Sequence, residues 1–212
     1  MYSQVDQIDP VVYPSGLKQA IEKADNDSIR IEKLFDLAFF YYDYEGEDER
    51  SDSLSGIAVR LAEESHRPEL MVIAYCRYLE SNNLFANYSK ALGYALKAEK
   101  LSAQNNPGEA FRLAGNTVSV YISGYDYDRA LEYSYKSLSI ATTTENTVWK
   151  AESYLDIGKS LEGKNQKIEA FRNYLNATVL AERIKDTSLL VQCFSRLSKF
   201  YNLNKLYNQA TH

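Results

Sequence analysis

The chain of 212 residues is poor in the residues that break helices, bridge sulfurs or move protons. It holds nine Gly and four Pro, and no Gly/Ser-rich linker separates two bodies. Cys76 and Cys193 are its two cysteines, too far apart in sequence for a disulfide framework or a zinc site. They read as small core residues. The two histidines are His66, in a connecting loop, and His212 at the end. Neither has a partner at an informative spacing, no Gly-rich phosphate loop occurs, and no His/Glu pair lies at i, i+4. The expectation is a chain that is not an enzyme and needs no cofactor or metal. No run of about 18 apolar residues exists, so nothing here spans a membrane. The start, MYSQVDQIDPVVYPSG, has neither a basic leader nor an apolar stretch. The sequence leaves the compartment unassigned: cytoplasmic, or periplasmic where a leader has been removed. Basic excess is missing too: the net charge is −5 and the pI near 5.2, with Lys and Arg spread along the chain. That argues against nucleic acid as a partner, because phosphate contacts need clustered cations.

What is present is a hydrophobic share of 45%, arranged with helical period. The segment 151–181 sets the pattern: two amphipathic stretches joined by the polar turn Gly163-Lys164-Asn165-Gln166. Ala151, Tyr154, Leu155, Gly158 and Leu161 share one face of the first. Phe171, Tyr174, Leu175 and Thr178 share one face of the second, beside Ala170, Ala177 and Ala181. Spacings of three and four fit a helix and not the alternation of a strand. A lone helical hairpin cannot bury both faces, so recurrence is expected.

It recurs. Ala170 falls on Ala130, Ala91 and Ala210 at intervals of about 40, and one step further back reaches Ser51. The preceding helices align through Leu37-Ala38, Tyr78-Leu79, Val118, Ile157-Gly158 and Leu197-Ser198. Turns at Asn82-Asn83, Gly124-Tyr125-Asp126, 163–166 and Asn202-Leu203-Asn204 keep the same phase.

A small residue near position 8, a large one at 11, Tyr at 17, Ala at 20 and Ala at 27 resembles the tetratricopeptide (TPR) repeat. Gly158, Leu161, Ala170, Tyr174 and Ala177 carry the likeness in repeat four. Tyr121, Tyr127, Ala130 and Leu138 carry it in repeat three, and Tyr88, Ala91, Ala95 and Ala98 in repeat two. Tyr201, Tyr207 and Ala210 match in repeat five; repeat one has Asp48 and Ser51 where Tyr and Ala are usual. The period exceeds the usual ~34 residues. The resemblance implies an all-α, right-handed superhelical solenoid of antiparallel helix pairs. Its repeats would run 28–67, 68–106, 107–146, 147–186 and 187–212, the last truncated. Residues 1–27 read as a lead-in, or equally as the remnant of an earlier repeat, held extended by Pro10 and Pro14, with a short helix over 16–24. A truncated fifth repeat would make the chain part of a longer protein, or leave an end that pairs with another copy. The acidic stretch 43–52 reads as a solvated turn within repeat one, and most of the 18 tyrosines as packing residues with the hydroxyl at the surface.

In TPR proteins the first helix of each repeat lines the concave face. Carried over repeat by repeat, the groove positions imply Lys33, Asp36, Phe40 and Asp43, then Arg77, Glu80 and Asn83. Repeat three supplies Arg112, Asn116 and Ser119, repeat four Asp156, Lys159 and Glu162, and repeat five Ser195, Arg196, Lys199 and Asn202. The Lys and Asn clamp of chaperone-binding members is not reproduced. The implied function is a protein- or peptide-binding scaffold, resembling the sensory or regulatory segments of bacterial signalling proteins with histidine-kinase or helix-turn-helix outputs. Arg77, Arg112, Asn116 and Lys159 could meet an acidic or C-terminal peptide group. The alternatives are a spacer or homodimerisation module, and a stand-alone peptide-pheromone receptor.

Overall fold

A computed structural model describes residues 12–80, 86–102 and 106–210, with side chains through 200 and at Asn202. Among these residues there are ten α-helices and no strand. They group into two compact units, Met1–Ser102 and Ala103–His212.

In the first unit, α1 (Val12–Glu22) packs on α2 (Asp27–Phe40), which a π-helical turn extends over Tyr41–Glu45. α3 (Asp48–Glu64) returns along α2. α4 (Pro68–Glu80) touches both α2 and α3, and α5 (Tyr88–Leu101) pairs with α4. In the second unit, α6 (Pro107–Ser123) pairs with α7 (Tyr127–Thr143), and α8 (Thr147–Gly163) with α9 (Lys167–Ile184). α10 (Thr187–Ala210) then packs on α9 and α8.

The turns of the second unit are one device repeated. The helix-starting positions Asn106, Asp126, Asn146, Gln166 and Asp186 lie at an interval of 20 residues. Four of these side chains accept the backbone N–H three residues on: Glu109 (3.2 Å), Arg129 (3.2 Å), Trp149 (3.1 Å) and Leu189 (2.9 Å). Each satisfies a donor that the first helical turn leaves open. The residue before each of the last four is left-handed: Tyr125, Glu145, Asn165 and Lys185. The next amide then reaches back to the preceding helix, as from Asp126 to the Tyr121 carbonyl (2.9 Å) and from Gln166 to Leu161 (2.9 Å). One residue thus closes a helix and the next opens its partner, which fixes the antiparallel pairing.

Packing follows a second repeated pattern. The first helices bury Leu37, Ala38, Phe40 and Tyr41; Tyr75, Cys76, Tyr78 and Leu79; Thr117, Val118, Val120 and Tyr121; and Ile157, Gly158, Ser160 and Leu161. They meet small residues on the second helices: Ser51, Ser55, Ala58 and Ala62 on α3, Ala91, Ala95 and Ala98 on α5, Ala130, Ser134, Ser137 and Ala141 on α7. The exchange also runs the other way at Gly158, where a methyl group would overlap the ring of the fully buried Tyr174. Buried tyrosines keep their hydroxyls on carboxylates, as with Tyr75 on Glu63 (2.7 Å), Tyr174 on Glu162 (2.6 Å) and Tyr78 on Asp52. Tyr121 accepts from Arg129 (3.2 Å) instead. The rings thus pay little desolvation for their polar ends. Exposed rings exist as well, at Tyr44, Tyr125 and Tyr135. Cys76 and Cys193 are buried and unbridged.

Four local expectations differ from what forms. The lead-in helix begins at Val12 with Pro14 inside its first turn, where a missing N–H costs nothing; Pro10 lies outside the described residues. The second helix of repeat one starts at Asp48, inside the turn expected over 43–52, where Arg50 pairs with Glu47 (2.9 Å) and Asp52 receives Tyr78 and Lys90. The acidic stretch is thus helical from Asp48, and Gly46 supplies the left-handed turn before it. The turn at 202–204 does not form, and α10 runs unbroken to Ala210. On the 20-residue interval the next helix start would be Leu206, which has no oxygen to accept a backbone N–H. Asn82 and Asn83 lie outside the described residues.

Two stability predictions follow from this packing. Gly158→Ala should lower stability by about 1–2 kcal/mol, since the ring it meets cannot retreat. Gly93→Ala, whose added methyl meets open space, should raise it by about 0.5–1 kcal/mol. Equilibrium urea unfolding followed by circular dichroism reads both, and equal shifts would contradict the packing account. The second concerns alkaline pH. Burial first, then a bonded carboxylate, raises the ionisation of Tyr75, Tyr78 and Tyr174 well above the usual phenol range. Above about pH 10 the unfolded tyrosines lose protons that the folded ones keep, so stability should fall from there upward. Tyr174→Phe should cost about 1 kcal/mol at neutral pH and flatten that alkaline decline.

Candidate functional site

In the second unit α8 touches both α6 and α10, so the three first helices form one face. That face holds a cavity of about 330 Å³. α6 contributes Phe111, Arg112, Gly115, Asn116 and Ser119; α8 contributes Glu152, Leu155, Asp156 and Lys159. Asp186, Ser188, Leu189 and Gln192 close it from the start of α10. Five residues expected from the sequence therefore meet in one place: Arg112, Asn116, Ser119, Asp156 and Lys159.

The charges are of both signs. Lys159 donates to Asp156 one helical turn away (3.1 Å), and Asp186 is occupied in part by capping α10 (2.9 Å to the Leu189 N–H). Arg112 and Asn116 each have an interaction of their own. Glu152 differs: no described residue gives it a hydrogen bond or an ion pair. Burial, then the charges of Asp156 and Asp186, push its ionisation up, and Lys159 opposes them in part. At the other edge Phe111 stacks on Trp149, with ring centres 4.7 Å apart and planes at 9°. Trp149 is the chain's single tryptophan.

The other expected groove residues are arranged differently. Phe40 is not in a groove: it is 1% exposed, buried against Tyr13, Tyr41 and Tyr44. The buried quartet explains this. Aligned on it, Phe39 is the residue that corresponds to Arg77, Ser119 and Lys159, and Phe39 is the exposed ring. Lys33 and Arg77 both donate to Asp36, at 2.9 and 2.8 Å, forming a cross-helix network between α2 and α4. A smaller cavity of about 220 Å³ lies beside it, walled by Ile31, Phe35, Leu70 and Ile73. Glu80 and Lys199 are exposed on their helices, and Asn83 lies outside the described residues. Glu162 is outside the cavity, accepting from Tyr174 (2.6 Å) and Arg196 (3.3 Å).

Glu152, Gln192, Asp186 and Phe111 line the cavity as well and are not among the residues expected from the sequence. For the first two a signal was available. They hold the same position of their repeats as Arg112, 40 and 80 residues on. Asp186 reads as a helix cap, and Phe111 as one more packing aromatic.

No protein-family model and no curated protein sequence matches the chain. Solved structures do. The apo form of RapI matches with a TM-score of 0.64 at 17% identity, over 95% of this chain and 56% of that one. A Podosopora anserina protein of nearly identical TPR-like repeats, named as a kinesin light chain, gives 0.67 at 14% identity, over 88% and 92%. BtubC (BKLC) from P. vanneervenii gives 0.62 at 15%, over 94% and 93%. This is a TPR-like fold. The chain spans little more than half the length of RapI. At these identities the likeness concerns architecture alone, and the TPR-like cavity is read from its own residues. Among the described residues, no helix is long and apolar enough to cross a membrane.

The unpaired Glu152 makes a prediction of its own. Its ionisation is raised in the folded state, so the folded chain holds the proton at pH values where the unfolded chain has lost it. Stability is therefore lost as pH rises through that window. Glu152→Gln should raise the melting temperature at pH 7 and leave it unchanged at about pH 3.5, where both states are protonated. Differential scanning calorimetry at the two pH values checks this; equal shifts at both would contradict it.

Proposed function

We propose that the chain is a protein-interaction scaffold whose second unit holds a peptide segment against the face of α6, α8 and α10. The observation that carries this reading is the cavity itself. Side chains from three helices converge on about 330 Å³ that this chain leaves unfilled, with polar groups beside the apolar Phe111 and Leu155. The lining is more polar than that of a typical small-molecule pocket, which suits the backbone and polar side chains of a peptide. The TPR-like fold supports the same class of partner, a protein or peptide. An output in a larger bacterial signalling protein is the wider setting we favour, on the resemblance of the repeats. A second reading, a stand-alone receptor for a peptide signal, is consistent with the likeness to RapI in fold. Both readings use the same cavity.

Gly115 offers a test that does not depend on the sign of the ligand. A Cβ atom there meets nothing within 4 Å and the residue lines the cavity, so Gly115→Phe should place a ring in it. Immobilised wild-type chain should retain a defined protein from the source cell's lysate, and Gly115→Phe should lose it with its helical circular dichroism intact. A synthetic peptide from the retained protein should change the emission of Trp149, stacked at the cavity's edge. Equal retention by both chains would move the function away from this face, toward a spacer or a self-association surface.

A further inference from the structure

Resting on the peptide-binding reading, we propose that the cavity takes a cationic group of the peptide, an ammonium or guanidinium, on the carboxylate of Glu152. The sequence alone suggested the opposite sign, through Arg112 and Lys159. The geometry reverses that. Lys159 is already satisfied by Asp156 on its own helix (3.1 Å), and Arg112 has an interaction of its own. The lining carries three carboxylates, Glu152, Asp156 and Asp186, against two cations. Asp156 and Asp186 are both occupied, by Lys159 and by the Leu189 amide. Glu152 alone has neither hydrogen bond nor ion pair among the described residues, although it is half-buried between helices.

A half-buried carboxylate without a donor is costly, and that cost is removed when a donor arrives. The environment of Glu152 is one that a cation relieves twice over. It supplies the missing hydrogen bond, and it offsets the repulsion from Asp156 and Asp186 that raises the ionisation of Glu152. A bound anion would meet the same three carboxylates. Phe111, Leu155 and Leu189 form the apolar part of the wall, suited to the alkyl stem of a lysine or arginine whose charged head lies on the carboxylate. The proposal therefore names a recognition element as well as a charge: a basic group presented by a stem or a chain terminus.

The test uses two octapeptide libraries, both amidated at the C-terminus and randomised at every position. One is acetylated at the N-terminus and the other has a free amine. Each is passed over the immobilised chain, and the retained peptides are sequenced by mass spectrometry. Retained acetylated peptides should be enriched in Lys and Arg over the input. Enrichment confined to the free-amine library would assign the same subsite to the α-ammonium. The paired variant Glu152→Gln/Asp186→Asn should abolish either preference. Asn still caps α10, and Gln keeps the shape of Glu, so the fold is preserved. Glu152→Gln alone should weaken the best basic peptide roughly tenfold, the loss of one charge-assisted hydrogen bond, and leave its citrulline or norleucine analogue unaffected. Retention of peptides with no basic preference, or with an acidic one, overturns the cationic subsite and leaves the peptide-binding reading standing. Retention of nothing by either library overturns both.

Discussion

Everything in this chain depends on the fit between large side chains on one helix and small ones on the next. Alanine and serine recur along α3, α5 and α7, and they let the buried quartets of α2, α4 and α6 approach closely. The reciprocal contact, Tyr174 over Gly158, uses the same principle with the sizes exchanged. A helix pair built this way buries one side of each helix and leaves the other apolar stripe for its neighbour, which is why the unit must repeat. Because buried rings and small residues interlock, a change of one methyl group is felt, and the interaxial distance is set more by these contacts than by helix propensity.

The recurrence of alanine near every fortieth residue was legible without a structure, because a periodic constraint on size leaves a periodic trace in sequence. So were the helical class and the turns at 124–126 and 163–166. The 20-residue turn device was less visible. Its left-handed residues are Tyr125, Glu145, Asn165 and Lys185, so glycine, the usual marker of that conformation, does not mark it. In three of the four turns an Asn or Asp follows, and in the fourth Gln166, residues common enough in loops to pass unnoticed. The same device explains why the last turn was misread. Asn202-Leu203-Asn204 looks like a loop by composition, but the position that would have to cap the next helix is Leu206.

Register was the weaker part of the reading. A helix presents a neighbouring residue about 100° away, so an error of one position exchanges a buried residue for an exposed one. That is what happened at Phe39 and Phe40. Four aromatic residues in a row give a period-seeking argument little to grip, and only the buried quartet shows which ring faces inward. The π-helical turn at Tyr41–Glu45 adds to the difficulty, since it inserts a residue into the helical phase just where the next element begins.

Aligned on that quartet, the two units treat the same charges differently. Glu32 and Asp36 correspond to Glu152 and Asp156, and Arg77 stands where Lys159 does one repeat on from its own pair. In the first unit Lys33 lies within 3.1 Å of Glu32 and 2.9 Å of Asp36, and Arg77 adds a further contact to Asp36. The network closes on itself. In the second unit the position of Lys33 is held by Ser153, buried and hydrogen-bonded to the Trp149 carbonyl (2.8 Å). Asp156 keeps one cation, and Glu152 has none from its own helix. One substitution in an otherwise shared pattern thus converts a self-neutralised stretch of helix into one with an unmet charge. The larger cavity lies beside that charge and not beside the closed network. A repeat protein can acquire a binding site in this way, with no new fold and no new loop, by leaving one of its internal ion pairs unmade.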